Sequence, residues 1–214
     1  MSNFVNSGTT AQIVGLLEAD FTGIMTTADF AALSTAQVAA LTTAQISQYV
    51  TTAQVAVLTT EQVAQGLTTE QVAALTTAQA QALTTAQIAQ GMTTAQVAAF
   101  STKDVAALSA TQVSVMTTAQ IVGLTTSQAT ALTTAQIAYG LSTAQVASME
   151  TRDLAVLSTA QAYRLTATQI AALTTAQVQQ GLTTTQLAAL GDTQVAGFTT
   201  AQIANGLTTA QVAA

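Results

Sequence analysis

Nine carboxylates are the first candidates for chemistry: Glu18, Asp20, Asp29, Glu61, Glu70, Asp104, Glu150, Asp153 and Asp192. Paired carboxylates can act as general acid and base or share a cation, but they need a common cleft and separated pKa values. No pairing is visible in their spacing, and none sits in the alternating-oxygen pattern of a calcium loop. Ser101 with Lys103, and Asp104 beside it, could be imagined as a nucleophile and base, but Ser101 also fits the cap and Asp104 the N3 position of an ordinary helical unit. Glu150-Thr151-Arg152-Asp153 has the same form and reads as a solvated charge patch. The chain has no His and no Cys, so the commonest bases, nucleophiles and metal ligands are missing. No glycine-rich phosphate loop occurs. Tyr49, Tyr139 and Tyr163 could form a ligand platform, although isolated tyrosines near unit ends read first as packing residues with a wet hydroxyl. The expectation is a protein that is not an enzyme, with no catalytic, cofactor-binding or metal residues and no cofactor.

The elements that position these groups are copies of one unit. In Leu41-Thr42-Thr43-Ala44-Gln45-Ile46, Thr42 fits a helix N-cap and Gln45 the N3 position. Thr accepts from the N3 amide and Gln reaches back to the cap amide, which is the capping box. Leu41 and Ile46 then occupy the two positions of a hydrophobic staple. Residues in the Leu41 role, the anchors, recur from Gly8 to Leu207 in 25 units. Four residues after each anchor stands Gln or, at Asp20, Asp29, Asp104 and Asp153, an aspartate. Leu17, Glu150 and Gly191 replace the capping Ser or Thr. Ala80, Ala129 and Ala162 replace the large staple residue. All nine acids therefore fall in first turns, where the helix dipole favours a carboxylate.

Anchors are 8 or 9 residues apart, and every third one recurs at about 25: Leu33, Leu58, Leu83, Leu108. This predicts an all-α solenoid of short capped helices with three units per coil, two units per layer being the runner-up. One long helix fails because an eight-residue step turns successive anchors by about 80°. A β-solenoid, the alternative fold, would put anchor and staple on opposite faces of a strand and use poor strand formers. The nine-residue units mostly carry Gly before the next anchor, as in Gln65-Gly66-Leu67 and Gln90-Gly91-Met92, which predicts a left-handed residue ending each helix. Helices this short are unstable alone and must lean on neighbours. Residues 1–33 read as an irregular N-terminal cap with the first repeats, and 34–214 as the regular array, in a single continuous domain.

Charged residues make up 6% of the chain, with net charge −6. That argues against nucleic acid and against anionic membrane surfaces. No apolar run reaches the roughly 18 residues of a membrane span, so membrane insertion is not expected, and no signal-peptide pattern opens the chain. The run Leu-Thr-Thr-Ala-Gln-Val/Ile-Ala-Ala resembles the octapeptide arrays of large bacterial surface and type I-secreted proteins. The resemblance implies export to the cell surface or beyond and a spacer, adhesin or matrix role, although the calcium-binding Gly-Asp nonapeptides of such proteins are absent. Leu-Thr-x-x-Gln-Val also echoes the first helix of TAL-effector repeats, whose longer period and basic balance this chain lacks.

Two functions follow as expectations. One is an extracellular structural scaffold, a rigid spacer that self-associates end to end into filaments or a surface layer. The other is a binding module that uses rows of Thr on ice or glycan surfaces.

Overall fold

The structure is a computed structural model that describes residues 9–23 and 25–213. The anchor expected at Gly8 and the N-terminal residues before it lie outside the described residues. Among those described there is one short helix per unit and no strand, so the fold is an all-α repeat solenoid. The Leu41 unit forms the helix Thr43–Gln48. Its cap Thr42 has φ −74° and ψ 156°. Gln45 N–H donates to Thr42 Oγ1 (3.1 Å), and Thr42 N–H donates to Gln45 Oε1 (2.8 Å). The reciprocal cap recurs from unit to unit with the same backbone geometry.

The two unit lengths close differently. In an eight-residue unit the anchor N–H bonds the staple carbonyl three residues back, as Leu41 does to Val38 (3.2 Å) and Leu58 to Val55 (3.2 Å). In a nine-residue unit the anchor N–H bonds the Gln carbonyl five residues back: Leu67 to Gln62 (3.0 Å), Met92 to Gln87 (2.8 Å) and Leu141 to Gln136 (2.8 Å). The additional residue is absorbed by widening the last turn to a π turn, giving the segments Gln62–Gly66, Gln87–Gly91, Gln136–Gly140 and Gln177–Gly181.

This corrects the expected role of glycine. No described glycine has positive φ. The selection comes from the neighbouring coil instead. A Cβ on Gly91 would lie 3.1 Å from the Thr60 carbonyl oxygen and 3.2 Å from Val63 Cβ. On Gly66 it would lie 3.0 Å from Val38 Cβ, and on Gly140 3.1 Å from the Ala110 carbonyl oxygen. Glycine permits the approach of one coil to the backbone of the coil before it.

The chain divides into two compact units, Met1–Leu108 and Ser109–Ala214. In the first, Thr35–Ala40 packs on Gln62–Gly66, Thr52–Ala56 on Thr77–Ala82, and Gln62–Gly66 on Gln87–Gly91. In the second, Ala110–Ser114 packs on Gln136–Gly140 and Thr151–Ala155 on Gln177–Gly181. Each of these pairs is three repeats apart, which selects three per coil over the two-unit layer. Anchors and staples make the core: Leu58, Val63, Ile88 and Leu83 in one unit, Ile137, Leu141, Leu154 and Ile170 in the other are all buried. Ala80, Ala129 and Ala162 are fully buried at the staple position too.

Candidate functional site

The residue that ties coil to coil is the glutamine of the cap. Gln87 is 2% exposed. Its Oε1 accepts from the Thr84 N–H (2.7 Å), while its Nε2 donates to the carbonyls of Val55 (2.8 Å) and Leu58 (2.7 Å). Those acceptors are the staple and following anchor of a helix four repeats earlier. Gln45, Gln54, Gln71 and Gln96 repeat the arrangement in the first compact unit. Gln145, Gln169, Gln186 and Gln202 repeat it in the second. One amide thus caps the N-terminus of its own helix and satisfies the C-terminal carbonyls of another. A bare helix leaves both sets of groups without partners.

Four aspartates interrupt this arrangement, because a carboxylate accepts but does not donate. At Asp104, Oδ2 takes the cap position, accepting from Ser101 N–H (3.1 Å) and Oγ (2.6 Å), and Oδ1 accepts from Thr77 Oγ1 (3.0 Å). The supposed Ser101–Lys103–Asp104 constellation is therefore a helix cap: Ser101 and Asp104 satisfy each other, and Lys103 is on the exposed side. Asp153 is 3% exposed at its side chain, and its Oδ1 has no hydrogen-bond partner. Burial pushes its carboxyl above the ordinary aspartate range. The Thr126 hydroxyl and Arg152 pull the other way, and Glu150 adds to the rise. Arg152 Nε lies 2.5 Å from Glu150 Oε2 and 3.8 Å from Asp153 Oδ1.

The remaining acids are local. Hydrogen bonds from the Thr26 hydroxyl and then the Thr26 N–H hold Asp29 below the ordinary range. Glu70 is lowered by its own N–H and by the Thr68 and Thr69 hydroxyls. Glu18 and Asp20 open the helix Glu18–Gly23, and Asp192 opens Asp192–Val195. Among the described residues no group of three or more His, Cys, Asp or Glu could hold a metal ion. The tyrosines are not brought together as one platform. Tyr49 stacks on Phe21 with centroids 5.9 Å apart, whereas Tyr139 is 79% and Tyr163 47% exposed. Tyr139 thus departs from the packing role expected of it, while the half-exposed Tyr163 sets its ring against Gly191.

The last coil presents a different surface. Val195, Ile203 and Val212 hold staple positions yet are 54%, 54% and 69% exposed, while Ile170 and Val178 are at 0%. With Leu187, Leu190, Phe198 and Leu207 they line an apolar cavity of about 320 Å³. A staple is covered by the coil that follows it, and here no described coil follows.

The repeating cap and the amide bonds between coils define a helical repeat protein. Residues 23–48 and 146–180 match a family model described as the ALTTAQ repeat. No curated protein and no solved structure matches the chain. Among the described residues no helix is long and apolar enough to cross a membrane.

Proposed function

We propose that this chain is an extracellular or cell-surface structural scaffold, a stiff spacer that self-associates end to end into filaments or a surface layer, in the manner of bacterial adhesin-like arrays. One observation carries the reading: buried cap glutamines such as Gln87 bond the carbonyls of an earlier coil, so that like units add one on another in a regular array. Sedimentation over a wide concentration range tests the reading. Oligomers that grow with concentration are expected, and a strict monomer throughout would sink it.

The second reading, a Thr-based binding surface for ice or glycans, is favoured by the exposure of the N1 threonines Thr43, Thr52, Thr94, Thr118 and Thr134. The preceding Thr row is occupied as caps. Thermal hysteresis and glycan pull-down assays test it, and it is abandoned if both are negative.

A further inference from the structure

We infer that the Met149 repeat holds a site for one alkali cation, sodium or potassium, between the buried Asp153 carboxylate and the carbonyl oxygens of Ile121 and Leu124 on the coil it faces. The inference is independent of the self-association proposed above.

In an ordinary repeat the N3 glutamine carries a donor into the space between coils. Gln186 gives its Nε2 to the carbonyls of Leu154 (2.9 Å) and Leu157 (2.7 Å), 32 and 29 residues back. Gln145 does the same to Val113 (2.9 Å) and Met116 (2.7 Å). The same offsets from Asp153 reach Ile121 and Leu124. Leu124 N–H already donates to the Ile121 carbonyl (3.2 Å), whereas the Leu124 carbonyl has no donor among the described residues. Asp153 brings an acceptor where those glutamines bring a donor. Its side chain is 3% exposed, and its Oδ1 is buried without a hydrogen bond. The repeat geometry thus sets three oxygens around one point with no proton among them.

Asp104 shows how an aspartate is otherwise satisfied. Its Oδ1 accepts from Thr77 Oγ1 (3.0 Å), and its Oδ2 from the Ser101 N–H and hydroxyl. Asp153 lacks the second set, because its cap residue is Glu150, which makes no side-chain cap bond. Thr126 holds the place of Thr77 in the sequence, and its hydroxyl oxygen is available as a further ligand.

A buried carboxylate needs a paired charge or a bound cation. Arg152 does not fill that role. Its Nε is 3.8 Å from Asp153 Oδ1, beyond hydrogen-bonding distance, and pairs at 2.5 Å with Glu150 Oε2. Glu150, Arg152 and Asp153 together carry one net negative charge. Aspartate is one methylene shorter than glutamine, so its oxygen stops roughly 1.5 Å short of where an amide nitrogen would sit. That leaves width for a small ion between the carboxylate and the carbonyls. A set of neutral oxygens with one uncompensated charge suits a monovalent ion, whereas calcium takes roughly six to eight oxygens.

Urea unfolding of the intact chain at neutral pH tests this. Sodium or potassium chloride is exchanged against N-methylglucamine chloride at fixed ionic strength, the organic cation being too large for the site. By linkage the folding constant should rise with alkali concentration, about tenfold where the ion stands at roughly ten times its Kd. The salt with the larger effect identifies the ion. Asp153→Gln, which supplies its own donor, and Asp153→Asn, which removes the charge, are expected to abolish the response while keeping the helical far-ultraviolet spectrum. Asp104→Gln should retain it. An equal response to all three cations, as a bridging water molecule would give, overturns the site, and so does an alkali response that Asp153→Gln preserves. Should the Asp153 variants fail to fold, the comparison of salts on the unaltered chain decides the matter alone.

Discussion

In the Leu83 repeat, Thr84 and Gln87 close a reciprocal cap, and the Gln87 amide reaches the carbonyls of Val55 and Leu58. In the Met149 repeat the same positions hold Glu150 and Asp153. Glu150 makes no side-chain cap bond, and Asp153 buries an oxygen without a partner. Both repeats nevertheless place their staples, Ile88 and Leu154, in the core at 1% and 0% exposure. The backbone route is thus set by the apolar pair and the coils around it. The polar pair determines how firmly the coil is held, since a buried group without a partner costs about 1–3 kcal/mol.

The largest effect should come from Gln87→Ala, which removes one acceptor and two donors from a buried site. A loss of about 3 kcal/mol is expected, read from the midpoint of urea unfolding. Gln87→Glu sharpens the point, because Glu keeps the acceptor for Thr84 and loses both donors. If Glu is tolerated without loss, the bond between coils matters little and the cap alone explains the glutamine.

Gly91 closes the same repeat, and Gly91→Ala drives a Cβ against the Thr60 backbone. We expect about 2 kcal/mol of destabilisation from overpacking. Gly23→Ala meets nothing within 4 Å and is expected to be neutral or mildly stabilising. Equal behaviour of the two would return glycine to a purely conformational role.

Asp153→Gln converts the weaker repeat to the stronger plan, with an amide for the carbonyls of Ile121 and Leu124. A gain of about 1.5 kcal/mol at neutral pH is expected. The sign with pH follows from the raised pKa. The folded state holds the Asp153 proton more tightly than the unfolded chain, so the parent's contribution is fully present below the ordinary aspartate value. It is lost as pH rises through the folded one. The advantage of glutamine should accordingly shrink in acid. An advantage that grows in acid would contradict the burial of a carboxyl there. The smallest change is Glu150→Thr, which installs the missing cap and should add about 1 kcal/mol by the same measurement.

Much of the local structure was legible from residue types. The cap at Thr42–Gln45, the staple Leu41–Ile46 and the helix Thr43–Gln48 follow from spacing alone, because all their partners lie within six residues. The second role of glutamine was not read, though the sequence carries a signal for it. A capping box accepts Glu or Gln at N3, yet 21 of the 25 repeats use Gln and none uses Glu. Glu occurs one position earlier instead, at Glu61 and Glu70, where it is exposed. Glu has the reach of Gln and would serve the cap, so its absence at N3 points to selection for the amide's donor, which the four aspartates forgo.

By itself, the order of residues determined where each helix starts, which side chains turn inward and the 25-residue higher period. Those depend on contacts a few residues apart and on counting. Only the tertiary structure decided why Gly66, Gly91 and Gly140 must be glycine, that the ninth residue is taken up as a π turn, and where the glutamine amides donate. The reason is distance along the chain. The atoms that forbid a Cβ on Gly91 belong to Thr60 and Val63, and the acceptors of Gln87 to Val55 and Leu58. These groups become neighbours only once one coil has been laid on another.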